Sequence, residues 1–129
     1  MKPVVLDSSA LIAELNGEPG ADKVRAAMED AAISTVNLAE VVTFLARRGG
    51  SRAAVIALLE RLAIEVVPFD AEQALDSGML VAITRAAGLS FGDRACLALA
   101  GSRGARVLTA DRAWSTVKDS IGLEIDLIR

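Results

Sequence analysis

A chain of 129 residues with 14 Lys+Arg, 17 Asp+Glu and a net charge of −3 has room for one domain with a real core. It lacks the positive charge to coat nucleic acid broadly, and the absence of histidine excludes a Ser/His/Asp relay, an imidazole acid–base pair and a histidine-bound zinc site. With 53% apolar and 24% charged residues it reads as globular, and no apolar run approaches the roughly 20 residues that span a bilayer.

The opening MKPVVLDSSALIA is interrupted by Asp7 and shows no cleavage signal, so the expected location is the cytoplasm. PVVLD (3–7) reads as a buried strand that turns into a helix at Asp-Ser-Ser. Val24, Ala27, Met28 and Ala31 mark a helix from near Gly20, which ends before a second strand, ISTV (33–36). The next helix opens at Asn37, carries Leu38, Val41, Val42 and Leu45, and stops at Gly49-Gly50. Ser51 caps a helix with the stripe Val55, Leu58, Leu59 and Leu62, and IEVVPF (64–69) follows as strand three. From Asp70 a long helix uses Leu75, Met79, Ala82, Ile83 and Ala86 and ends at Gly88.

LSFGDRACLALA (89–100) is a helix that is almost wholly apolar beyond its first turn, and the lone Cys96 within it reads as a small buried hydrophobe. RVLTA (106–110) is strand four, DRAW opens a short helix, and LEIDLI (123–128) is the last strand. Strands alternating with helices imply right-handed crossovers. The expected fold is therefore a three-layer α/β/α domain over residues 1–129, with a central, mostly parallel sheet of about five strands.

Four carboxylates share one setting: Asp7 after PVVL, Glu40 after ISTVNLA, Asp93 after LSFG and Asp111 after RVLTA. Each is read as lying in the first turn of a helix, where acids complement the dipole and satisfy free N–H groups. Ser90-x-x-Asp93 has the form of a capping box and Asn37-x-x-Glu40 an approximate one. Singly, each acid reads first as a cap. Together they are harder to dismiss, because Asp7, Glu40 and Asp111 closely follow strands of a parallel sheet and so emerge at its carboxyl edge, where such sheets place their sites. Asp93 shares a wheel face with Cys96, Leu97 and Ala100 and so points inward, whereas Glu40 lies across from its helix's apolar stripe. Converging carboxylates repel unless a cation joins them, and oxygen ligands suit magnesium or manganese, ions that work on phosphate substrates. Hydrolysis of a phosphodiester is the chemistry that follows.

These segments resemble the PIN domains, and within them the VapC-type ribonuclease toxins of bacterial toxin–antitoxin pairs. VVLDSSALIA, ISTVNLAEV, LSFGDRACLALA and RVLTADRAW match the family's four acidic segments in order, the last two most specifically. The resemblance implies a metal-dependent endoribonuclease that cuts single-stranded or loop regions of RNA, commonly transfer or ribosomal RNA. It also implies a VapB-like antitoxin partner and a homodimer. By the same analogy Asp7 and Asp93 are the most direct ligands of Mg2+ or Mn2+, with Glu40 and Asp111 completing the metal and water network. Ser9 and Thr109 are placed to donate hydrogen bonds to Asp7 and Asp111 respectively, although cap and strand roles explain them equally well. Arg94 and Arg112 each follow a proposed ligand and either contact the RNA backbone or simply face solvent. Trp114 either stacks a base or fills the core.

Three other readings stay open. A phosphoryl-transferring aspartate enzyme wants a second acid two residues after Asp7, where Ser9 stands. A phosphoacceptor domain wants a lysine after strand four, yet the lysines are Lys2, Lys23 and Lys118. A catalytically silent PIN-fold RNA- or protein-binding module is the third.

Overall fold

In the computed structural model, which describes residues 3–129, the apolar run after Pro3 forms strand β1 (Val4–Leu6), buried throughout. Met1 and Lys2, the first residues of the opening stretch MKPVVLDSSALIA read above, lie outside the described residues. The other strands are β2 (Ala31–Ser34), β3 (Glu65–Val67), β4 (Arg106–Thr109) and β5 (Ile125–Leu127). All pairings are parallel and the order is β3-β2-β1-β4-β5, as the alternation of strands and helices requires.

A strand covered on both faces needs an apolar residue at every position. In β1, Val4 and Leu6 enter one core with Leu11, Ile33 and Val41, while Val5 enters the other with Leu97, Val107 and Trp114. Trp114 is 0% exposed, so it fills the core and offers no stacking platform for a base. The buried Cys96 belongs to the same core. Among the described residues no helix is long and apolar enough to cross a membrane.

Helix α1 (Ser8–Leu15) leaves β1 directly, and α2 (Ala21–Ala27) runs into a 3₁₀ turn at Met28–Asp30. Ala31 therefore opens β2 instead of closing the helix, and the strand expected over 33–36 lies two residues earlier. Its last residue, Ser34, accepts the Val36 N–H at 3.2 Å and caps α3 (Thr35–Arg47), which thus begins before Asn37. Helix α4 (Arg52–Leu62) carries the expected Ser51 cap, with the Ala54 N–H at 3.2 Å.

The long helix expected from Asp70 is broken. Asp70 does cap α5 (Ala71–Met79), accepting from the Gln73 N–H at 2.9 Å, but α6 (Val81–Thr84) and a 3₁₀ turn at Arg85–Ala87 follow as separate pieces. The burial of this segment is also the reverse of the expected one. Gln73, Ser77 and Thr84 are buried, whereas Leu75, Met79 and Ile83 are 65%, 68% and 40% exposed. Short hydroxyl side chains allow close helix packing because the helix itself satisfies them: Ser77 Oγ donates to Ala74 O at 3.1 Å and Thr84 Oγ1 to Leu80 O at 3.0 Å.

Helix α7 (Phe91–Arg103) then crosses the sheet to β4 on the far side of β1. The chain thus builds outward from β1 to β3, returns, and builds outward again, which makes the carboxyl ends of β1 and β4 the point where strand order reverses. Beyond β4 the expected short helix is a 3₁₀ turn (Arg112–Thr116), followed by α8 (Lys118–Ile121).

Candidate active site

Asp7 stands where β1 ends, its N–H still in the sheet ladder and donating to Leu108 O at 3.0 Å. It occupies the N-cap position of α1, yet its carboxylate makes no cap hydrogen bond. Instead Oδ2 accepts from Ser9 Oγ at 2.6 Å and from Thr109 Oγ1 at 2.9 Å. Thr109 therefore serves Asp7, and the expectation that it donates to the Asp111 side chain is corrected. Pairing of β1 with β4 brings its hydroxyl across to Asp7, and that oxygen in turn accepts the Asp111 backbone N–H at 3.1 Å. Ser9 Oγ likewise accepts the Ala110 N–H at 3.0 Å, so two hydroxyls tie the end of β1 to the loop after β4.

Burial dominates the proton affinity of Asp7: the residue is 3% exposed, and its pKa is pushed up to about 6. The two hydroxyls work in the other direction, but the charges of Asp93 and Glu40 raise it further. Asp93, half-buried at the third position of α7, is also raised, first by burial and then by Asp111 and Glu40, against the lowering effect of its bonds to Ser90. The Cys96 thiol, fully buried one turn along α7, is pushed up by burial and by Asp7, Asp93 and Glu40 together. The three carboxylates thus bear on one another and on one point of the core.

Two of the acids also cap. Asp93 completes the expected capping box with Ser90, its Oδ2 accepting the Ser90 N–H at 2.8 Å while Ser90 Oγ accepts the Asp93 N–H at 3.2 Å. Asp111 is exposed and accepts the Ala113 N–H at 2.9 Å. Glu40 does not cap, because α3 starts at Thr35 and places it in the second turn; the approximate capping box with Asn37 is not formed. Its Oε1 accepts instead from Asn37 Nδ2 at 3.0 Å. Asn37 had no functional reading in the sequence, although its spacing of three from Glu40 puts both on one helix face. Among the described residues no three acidic or thiol groups close a ready-made metal cage.

Several of the arginines are engaged elsewhere. Arg94 reaches α5, where its Nε donates to Ser77 O at 3.0 Å, so it neither faces solvent freely nor addresses the acids. Arg103 forms a bidentate pair with Glu65 at 2.7 Å and Arg106 pairs with Asp126 at 2.9 Å. Arg112 is exposed.

The model of the PIN domain family matches residues 4–119. The chain belongs to that family. This PIN domain is similar to the DNA-bound VapBC structure of Salmonella typhimurium, at 22% identity over 100% of both chains and a TM-score of 0.72. It also resembles VapC20 of Mycobacterium tuberculosis, described as a sarcin-ricin loop cleaving toxin, at 22% identity, 88% of this chain, 93% of that chain and a TM-score of 0.69. A third likeness is to VapBC-5 of M. tuberculosis, a member of the VapBC toxin–antitoxin family, at 25% identity, 100% of this chain, 99% of that one and a TM-score of 0.64. No curated protein sequence matches the chain. The PIN fold seen here is that of the VapC toxins, with Asp7 and Asp111 at the strand-order reversal.

Proposed function

We propose that this PIN domain is a divalent-metal-dependent endoribonuclease that acts as the toxin of a toxin–antitoxin pair. One observation carries the reading: at the carboxyl edge the proton affinities of Asp7 and Asp93 are raised, first by burial and then by neighbouring acids, Glu40 acting on both and Asp111 on Asp93. A cation relieves that repulsion, and an all-oxygen set suits Mg2+ or Mn2+. Magnesium keeps several waters and takes only one or two carboxylates, so it does not require the group of three acids that is lacking among the described residues. Asp7 and Asp93 would hold the ion, with Glu40 and Asp111 orienting water around it. Such an ion supplies Lewis acidity and an activated water for in-line attack on a phosphodiester. The chain's own part is positional: Ser9 and Thr109 hold Oδ2 of Asp7, and the Ser90 N–H holds Oδ2 of Asp93, so each carboxylate is oriented before substrate arrives.

The likeness to VapC20, a sarcin-ricin loop cleaving toxin, supports a structured loop of this kind as substrate, and the VapBC complexes support a VapB-like antitoxin. A cytoplasmic location follows from such partners. The exposed apolar face of α5 and α6, with Leu75, Met79 and Ile83, supports a homodimer; sedimentation velocity is expected to give the mass of two chains, and a single-chain mass at micromolar concentration contradicts it. The activity is tested with the chain freed of any partner and incubated with transfer and ribosomal RNA. Internal cuts are expected with Mg2+ or Mn2+ and none in EDTA. No cutting with either metal overturns the reading in favour of a silent binding module.

A further inference from the structure

Asn37 is an amide at an interior position of α3 with 0% exposure, a place where a core helix ordinarily carries an apolar residue. Both its N–H groups are used. Nδ2 donates to Glu40 Oε1 at 3.0 Å and to Gly92 O at 2.9 Å, so one amide joins the acid on α3 to the first turn of α7. The orientation follows from these partners, since a flipped amide would aim its oxygen at a carboxylate and a carbonyl. Asn37 Oδ1 is left buried without a partner, a penalty that an apolar side chain would avoid.

Gly92, next to Asp93, explains what the amide achieves. Its φ is not positive, so the backbone does not call for glycine there, and glycine is a poor helix residue. The space of its missing side chain is filled by Glu40: a Cβ at residue 92 would lie 2.8 Å from Glu40 Cδ and Oε1, and closer still to Oε2. Glu40, on the polar side of its own helix, reaches the first turn of α7 because that turn offers a gap at Gly92 and Asn37 holds the carboxylate in it.

We infer that Asn37 and Gly92 are positioning residues that seat the Glu40 carboxylate beside Asp93, Asn37 by its two hydrogen bonds and Gly92 by its lack of a side chain. The inference rests on the metal-dependent reading for its consequence but on the geometry for its substance. The experiment is Mn2+ binding by calorimetry, together with thermal unfolding, for the whole chain and for Gly92→Ala, Asn37→Leu, Glu40→Gln and the Gly92→Ala/Glu40→Gln pair. Gly92→Ala is expected to melt at or above the parent temperature, because alanine favours the helix and the clash falls on the end of a flexible side chain, yet to bind Mn2+ about 10- to 100-fold more weakly. Adding Gly92→Ala to Glu40→Gln should cause little further loss, since both act through one carboxylate. Asn37→Leu should weaken binding similarly and serves as the second variant if Gly92→Ala does not fold. Parent-like Mn2+ affinity in folded Gly92→Ala or Asn37→Leu overturns the inference. If the parent chain itself binds no Mn2+, the metal reading fails, and the seat is judged by the carbon NMR shift of the Glu40 carboxyl: a change in Gly92→Ala upholds it and no change overturns it.

Discussion

Asp7→Asn is expected to abolish RNA cleavage and, at pH 7 without a divalent ion, to make the fold more stable. The carboxylate is buried, its pKa is about 6 in the folded chain, and an unfolded aspartate titrates near 3.9. Well below the unfolded value, at about pH 3 and lower, the group is largely protonated in both states and contributes almost nothing of this kind. As pH rises through the window from about 4 to 6, the unfolded chain releases its proton first, so stability falls, by on the order of 3 kcal/mol once Asp7 is ionised in both states. Asparagine is neutral throughout and its Oδ1 can accept the same bonds from Ser9 and Thr109. Urea unfolding in EDTA should therefore show the parent losing stability between pH 4.5 and 7 relative to Asp7→Asn. Such a gain is a large fraction of the roughly 5–15 kcal/mol that holds a domain together. A purely structural carboxylate behaves oppositely, and a destabilised Asp7→Asn would contradict the assignment.

Asp93→Asn separates cap from ligand. The substituted side chain would still accept the Ser90 N–H through its amide oxygen, so the helix head should lose no more than about 1 kcal/mol. Activity should fall by more than about 100-fold, beyond what the loss of a supporting group does. Circular dichroism melts and RNA cleavage on one preparation decide it. An unfolded variant shows that the cap is the residue's main role, and a folded variant of parent activity removes Asp93 from the site.

The site was legible from strand ends: in a parallel sheet an acid after each strand must emerge at one edge, and Asp7 and Asp111 do so on either side of the strand-order reversal. Cross-strand partners are not legible, because neighbours in a sheet are not neighbours in sequence: proximity in the chain pairs Thr109 with Asp111, whereas β4 lies beside β1 and brings it to Asp7. The start of α3 is ambiguous in sequence because Ser34, Thr35 and Asn37 are all cap formers, and only the structure shows that Ser34 accepts the bond. On α5 the wheel separated the two faces of the helix correctly but did not say which one meets the core. Hydroxyls bonded to their own helix went inside, and the apolar stripe stayed outside. The positions of Asn37 and Gly92 were in plain view, but the seat they form for Glu40 exists only once α3 and α7 are packed together.

In the proposed site, carboxylates far apart in the chain gather around one divalent ion. Anomalous diffraction from crystals of the chain soaked in MnCl2 tests this most directly. An ion between Asp7 and Asp93, with carboxylate oxygens about 2 Å away and water at its remaining positions, is the expected result. Density showing no ion there, or manganese held only elsewhere while these carboxylates stand apart, would contradict it.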